Sequence, residues 1–318
     1  MNEVMLAVLA IIFGLLVLMK SADWLVDSAN NLALGFGIQP LLVGVVVLGF
    51  GTSAPEIFVS ITSAIEEVPN LAVGNVLGSN IANVAFVLST AMLFSTLLIG
   101  RRVLVVELRL LLAITVLTGI LLWDGVFSGW EAMILALSFL ASLACVIHNS
   151  LSPSDQYSAN EPQAKKPFDW KQCIWLIGSL ILLPASANLL VWGASVIAIE
   201  FGVSELIIGL TVVAIGTSLP ELAAVISAAI RQEKDLIMGN IIGSNLFNLG
   251  VVLPLSALGG GYLVDAQALS IDFPFMMGLT LFLLVPAMMS KTKKWQGAVL
   301  WLSFIGYLAM IYLRSTAA

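Results

Sequence analysis

Charged side chains are scarce in this sequence: they make up 10% of its 318 residues, against roughly one quarter in soluble domains. Histidine occurs once, as His148, and cysteine twice, as Cys145 and Cys173. A chain that is 60% hydrophobic, with a mean hydropathy of +1.06, has too little polar surface for a soluble fold. Soft-metal centres are excluded because Cys and His ligands do not cluster, and the two cysteines form no metal spacing. An intramembrane hydrolase would need a nucleophile beside a base, yet the single His closes an apolar stretch and no paired aspartates face each other. No basic residue precedes Lys20, which argues against a cleaved signal peptide. No enzyme chemistry, resident cofactor or nucleic-acid partner is expected.

What is abundant is apolar sequence. Crossing a bilayer takes about 20 helical residues, and stretches of that length recur from end to end. We read ten spans, at about 4–33, 39–65, 71–99, 103–123, 130–148, 172–199, 204–230, 236–260, 268–289 and 295–313. They are too long for barrel strands, so helices must satisfy their backbone groups in lipid. The expected fold class is an all-α polytopic membrane protein.

The few charges are sorted by side. Arg101, Arg102, Arg109, Lys165, Lys166, Lys171, Arg231, Lys234, Lys291, Lys293 and Lys294 all fall on one side of a ten-span arrangement. That side is the expected cytoplasmic face, which leaves both termini outside the inner (plasma) membrane. The other side carries Glu66, Glu67, Asp124, Glu131, Glu200, Glu205, Asp265 and Asp272, with only Arg314 basic.

The chain also repeats itself. An offset of 165 residues aligns Gln39–Leu88 with Ser204–Leu253 without a gap, and 20 of those 50 positions are identical. The offset extends upstream, pairing Ser21-Ala22 with Ser186-Ala187 and Phe36-Gly37 with Phe201-Gly202. Each unit holds five spans, an odd number, so the second copy enters the membrane from the opposite side. The expected organisation is a first inverted repeat over 1–148, a cytosolic linker over 149–171 and a second repeat over 172–318. Inverted repeats give outward-facing and inward-facing states similar energies, which a secondary transporter needs and a passive channel does not.

The chemistry lies in the most similar parts of the two copies: GTSAPE at 51–56 with GNVLGSNIAN at 74–83, and GTSLPE at 216–221 with GNIIGSNLFN at 239–248. Pro55 and Pro220 lack an N–H and break the backbone ladder, freeing carbonyls near Gly51-Thr52 and Gly216-Thr217. Glu56 and Glu221 should converge near the membrane centre, where ionised groups demand a cation, a proton or water. Lys and Arg are absent from the interiors of spans 2, 3, 7 and 8, so a mobile ion is the expected partner. Asn75, Ser79 and Asn83 recur at i, i+4 and i+8 and form one polar stripe, repeated by Asn240, Ser244 and Asn248. Gly74, Gly78, Gly239 and Gly243 would let neighbouring backbones come close. The ligand set is all oxygen: two carboxylates, hydroxyls of Thr52, Ser53, Ser79, Thr217, Ser218 and Ser244, amide oxygens and carbonyls. Hard ions such as Na+ and Ca2+ take such ligands. Asn80 and Asn245 divide evenly between a part in the site and simple helix-to-helix bonding.

At these doubled motifs the chain resembles the cation/Ca2+ exchanger superfamily, specifically the short prokaryotic sodium/calcium antiporters, over nearly all ten spans. The resemblance implies that Glu56 and Glu221 bind both ions, that Thr52, Ser53, Ser79, Thr217, Ser218 and Ser244 complete the Na+ sites, and that the Gly49 and Ala214 carbonyls contribute. It implies Na+/Ca2+ antiport by alternating access, with spans 1 and 6 sliding across the core, and no cytosolic Ca2+-sensing domain is expected beside the short linker. One departure matters: familiar members carry Asp at the position of Asn248, whereas Asn83 and Asn248 are both amides here. The core then carries at most two negative charges, which balance one Ca2+ or two Na+, and H+ or K+ stays open as counter-ion. The expected partners are these ions and the lipid bilayer, with the monomer as the working unit. Outside the motifs, Lys20 and Asp23 are i, i+3 neighbours and are expected to form an interfacial ion pair.

Overall fold

The computed structural model describes residues 3–100, 103, 106–150, 169–202 and 214–317. Helices dominate: α1 Glu3–Phe36, α2 Pro40–Thr52, α3 Ala54–Ile65, α4 Pro69–Phe94, α5 Glu107–Leu121, α6 Gly129–Ser150, α7 Lys171–Glu200, α8 Ala214–Thr217, α9 Leu219–Ile230, α10 Lys234–Gly259, α11 Ala268–Met288 and α12 Lys294–Ala317. Among the described residues seven helices are long and apolar enough to cross a bilayer, or eight if the bent pair α2–α3 is one span. Most of the expected linker, the first part of span 7, and Arg101, Arg102, Lys165, Lys166 and Glu205 lie outside the described residues.

The proline positions explain the breaks. Pro55 and Pro220 sit at the second positions of α3 and α9, where their missing N–H is tolerated but the preceding ladder cannot continue. The residues just before these helices, Ser53 (φ −81°, ψ 9°) and Ser218 (φ −91°, ψ 4°), leave helical geometry in the same way. Across Ser53 the axis bends by 45°.

Burial identifies the centre. In α4 and α10, 78% of the most apolar window is buried, against 22% in α1 and α7, which pack on each other at the lipid-facing edge. Helix α2 meets α10 backbone to backbone. A Cβ on Gly49 would lie 2.7 Å from the Gly243 carbonyl carbon, and one on Gly44 2.9 Å from Gly239 Cα, so only glycine allows this approach. A Cβ on Gly74 or Gly78 would meet no described atom within 4 Å, so the close approach expected at these two glycines is not seen among the described residues.

Two short backbone bridges tie the ends of the bundle. Val126–Phe127 (β1) pairs antiparallel with Tyr262–Leu263 (β2), and Leu98 bridges Lys291. The 165-residue offset carries one bridge onto the other, because Leu98 corresponds to Leu263 and Val126 to Lys291. Since α5 runs between residues 98 and 126, the two bridges lie at opposite ends of that helix.

One expected pair is corrected. Lys20 does not meet Asp23; its ammonium lies over the Trp24 ring, 5.5 Å from the centroid. Asp23 instead accepts from Ser227 Oγ at 2.6 Å and lies 3.5 Å from Arg231, which also pairs with Asp27. A cation over an aromatic face keeps its ammonium in water, whereas Asp23 is turned toward α9 and finds a guanidinium with several donors there.

Candidate ion-binding site

The broken helices aim their ends at the centre of the bundle. Glu56 and Glu221 each fall in the first turn of the helix after the break, α3 and α9. There the unpaired N–H groups carry partial positive charge, which favours an anion. Both residues are 0% exposed. Ser79 Oγ donates to Glu56 Oε1 at 3.0 Å. Glu56 Oε2 and both carboxylate oxygens of Glu221 have no hydrogen-bond partner among the described residues. No Lys or Arg among the described residues pairs with either acid. Two buried acids with three oxygens unpartnered among the described residues and no fixed cation form an uncompensated acidic cluster, which is costly to bury when ionised.

Other expected oxygen-bearing groups come together from both halves of the chain. Thr52 Oγ1, at the end of α2, donates to the Leu48 carbonyl at 2.9 Å and lies 3.2 Å from both Asn240 Oδ1 and Ser244 Oγ on α10. Ser244 Oγ also approaches the Gly49 carbonyl at 3.4 Å, so that carbonyl faces the same space. The hydroxyls of Ser53 and Ser218 are buried without partners among the described residues. Thr217 is half-buried and engaged, and Ala214 is the first residue of α8.

Further along the stripe, Asn83 Nδ2 donates to Asn245 Oδ1 at 3.0 Å, and Asn248 Nδ2 donates to Asn80 Oδ1 at 3.1 Å. The 165-residue offset exchanges these two bonds. Both leave an amide oxygen, Asn83 Oδ1 and Asn248 Oδ1, buried and unpartnered. Asn83 and Asn248 also begin widened π-helical turns, Asn83–Leu88 and Asn248–Val252. Such turns insert a residue into the helix and recur at functional sites.

Part of the expected set meets side chain to side chain or carbonyl: Glu56 meets Ser79, Thr52 and Gly49 meet Ser244, Asn83 bonds Asn245, and Asn248 bonds Asn80. Motif spacing did not reveal that Thr52 would pair with Asn240 of the opposite stripe, nor that Ser60 Oγ would donate to the Val252 carbonyl at 2.6 Å. Both contacts depend on how the halves interlock, and no periodicity within one half carries that information.

Broken helices that bury a cluster of acidic and other oxygen-bearing side chains within an apolar bundle fit a membrane cation transporter. The family model described as sodium/calcium exchanger protein matches residues 6–148 and 171–313, and the chain belongs to that family. It is 37% identical to the inner membrane protein YrbG of Escherichia coli over 98% of each chain. It is 27% identical to the sodium/calcium exchanger MaX1 of Methanosarcina acetivorans, covering 96% of this chain and 98% of that one. Its fold matches the sodium-calcium exchanger NCX_Mj, solved with Na+ and Sr2+, at a TM-score of 0.85 and 28% identity over 96% of this chain and 98% of that chain. It is therefore an antiporter of the cation/Ca2+ exchange type.

Proposed function

We propose that the chain exchanges Na+ for Ca2+ by alternating access, with the ions held between Glu56 and Glu221. The observation that carries this reading is the pair of fully buried carboxylates, three of whose four oxygens lack partners among the described residues, beside hydroxyls and amides and with no fixed cation. Ca2+ takes six to eight oxygens in irregular geometry, and the set available is of that kind. Thr52, Ser53, Ser79, Thr217, Ser218 and Ser244 supply hydroxyls, Asn83 and Asn248 amide oxygens, and Gly49 and Ala214 carbonyls. The names of the exchanger relatives support Na+ as the counter-ion.

Ten spans in two inverted five-helix repeats are the arrangement in which this site works. The exchange of the two strand bridges and of the two asparagine bonds by one sequence offset supports it. The basic residues orient the chain with both termini outside the inner membrane, and a single copy contains every ligand. Sliding of helices α1 and α7 over the core would alternate access, and their packing on each other at the little-buried edge of the bundle supports this reading.

A second reading rests on Asn83 and Asn248. With both positions amides, the core holds two negative charges, and an exchanger coupled to H+ or K+ would satisfy them equally. Radiolabelled Ca2+ uptake into proteoliposomes under imposed Na+, K+ or pH gradients separates the readings. Uptake driven by a pH gradient and not by Na+ would reject Na+ coupling. Glu56→Gln and Glu221→Gln are each expected to reduce uptake at least about a hundredfold, because breaking a buried charge constellation costs about 3–5 kcal/mol. Survival of uptake in both variants would reject the site.

A further inference from the structure

We infer that Asn80 and Asn245 are positioning residues of the ion site, each orienting the amide of an asparagine contributed by the other half of the chain. The inference rests on the ion site proposed above and adds two residues and a crosswise rule to it.

An asparagine amide can present either its oxygen or its NH2 to a cavity, and rotation by half a turn exchanges them with little change of shape. Only the oxygen suits a cation. Asn83 Nδ2 is committed to Asn245 Oδ1 at 3.0 Å, and Asn248 Nδ2 to Asn80 Oδ1 at 3.1 Å. Each commitment turns the NH2 toward the opposite helix and leaves the oxygen of Asn83 or Asn248 unpartnered and fully buried. Asn80 is itself held with its oxygen toward Asn248, because its Nδ2 donates to Met276 Sδ at 3.5 Å.

The helix period explains the division of labour. Ser79 and Asn83 are one turn apart and share the face that meets Glu56, whereas Asn80 lies a residue further round and reaches the neighbouring helix. Ser244 and Asn248 are likewise one turn apart, with Asn245 a residue further round from Ser244. Each half therefore supplies one ligand asparagine and one holder, and the holder serves the ligand of the other half. Losing Asn80 should disable the oxygen of Asn248 and leave that of Asn83 in place.

The test is a set of double-mutant cycles on Ca2+ uptake by the full chain in proteoliposomes, using alanine at positions 80, 83, 245 and 248. Each single variant should raise the apparent KM for Ca2+ about tenfold, as expected for loss of one oriented buried polar ligand. Asn80→Ala combined with Asn248→Ala should be no worse than either alone, and likewise Asn245→Ala with Asn83→Ala. The same-half combinations should multiply. Asn80→Asp and Asn245→Asp keep an accepting oxygen, so their KM should stay at or below that of the wild type. Crosswise pairs that multiply, or aspartates that raise KM as alanine does, would overturn the inference. So would alanine variants that lower only the maximal rate and leave KM unchanged, since that outcome marks a packing role. Where alanine variants fail to accumulate, serine at the same positions runs the same cycles. Glu56→Gln and Glu221→Gln are assayed in parallel: if they transport like the wild type, the ion site itself is wrong. If they abolish transport while crosswise coupling is missing, only the positioning role fails.

Discussion

Thr52 has one hydroxyl proton and three oxygen neighbours: the Leu48 carbonyl at 2.9 Å, with Asn240 Oδ1 and Ser244 Oγ both at 3.2 Å. It can donate to only one of them at a time, so its lone pairs stay available to an ion. Thr52→Val keeps the shape and removes the hydroxyl, leaving buried polar groups of α10 short of a partner, at a cost of about 1–3 kcal/mol. Ca2+ uptake at subsaturating concentration should fall about tenfold, while Thr52→Ser should stay within about threefold of wild type. Equal loss in both variants would mean that the methyl group, not the hydroxyl, matters at this position. The residue type and its doubling were legible in the sequence; its bond to the opposite stripe was not, since Asn240 is 188 residues away.

At the scale of elements, the backbone contact of α2 with α10 sets the site's dimensions. A Cβ on Gly239 would lie 2.6 Å from the Leu41 carbonyl oxygen and 2.8 Å from Gly44 Cα, both parts of rigid backbone. Gly239→Ala should therefore cost about 1–3 kcal/mol through overpacking, read as a lower melting temperature in detergent. Gly306→Ala, whose Cβ would meet no described atom within 4 Å, should be neutral or slightly stabilising through helix propensity. Equal melting temperatures for the two variants would show that α2 and α10 can separate at little cost.

The outer helix α1 is tied to the turn between α9 and α10. Arg231 reaches Asp23 and Asp27, and Asn30 Nδ2 donates to Glu233 Oε1 at 2.6 Å. The corresponding positions of the other repeat, Asn188, Trp192, Glu66 and Val68, cannot form this set. The tie thus breaks the symmetry of the two halves. The groups are a third to a half exposed, so the ion pairs contribute no more than about 1 kcal/mol. Arg231→Gln should speed amide hydrogen exchange in residues 227–234 by no more than about fivefold, with the KM for Ca2+ unchanged. Unaltered exchange would show that Arg231 does not hold α1.

At the scale of the whole molecule, an ion that binds only the folded chain stabilises it by mass action, by about 2.7 kcal/mol at a hundred times its Kd. The melting temperature of the purified protein should rise with Ca2+, fall when a chelator removes it, and be insensitive to Ca2+ in Glu221→Gln. A shift of equal size in that variant would place the stabilising ion elsewhere. Na+ should reduce the Ca2+-dependent shift if both ions share the cavity.

The sequence by itself determined the membrane location, the helical class, the duplication and the oxygen chemistry of the motifs. These follow from properties that accumulate along the chain: hydropathy, helical period, proline positions and identity at a fixed offset. Tertiary structure alone decided which groups meet. Glu56 keeps Ser79 of its own repeat, while Asn83 and Asn248 turn to partners in the other, and Asp23 prefers Arg231 of a distant turn to the nearby Lys20. Lys20 and Asp23 could satisfy the spacing rule for neighbours on one helix, but packing on α9 placed a stronger multi-donor partner within reach. Glu56 and Glu221 were visible as buried acids from the motifs; that three of their oxygens would lack a partner followed only from the packing of the two halves around them.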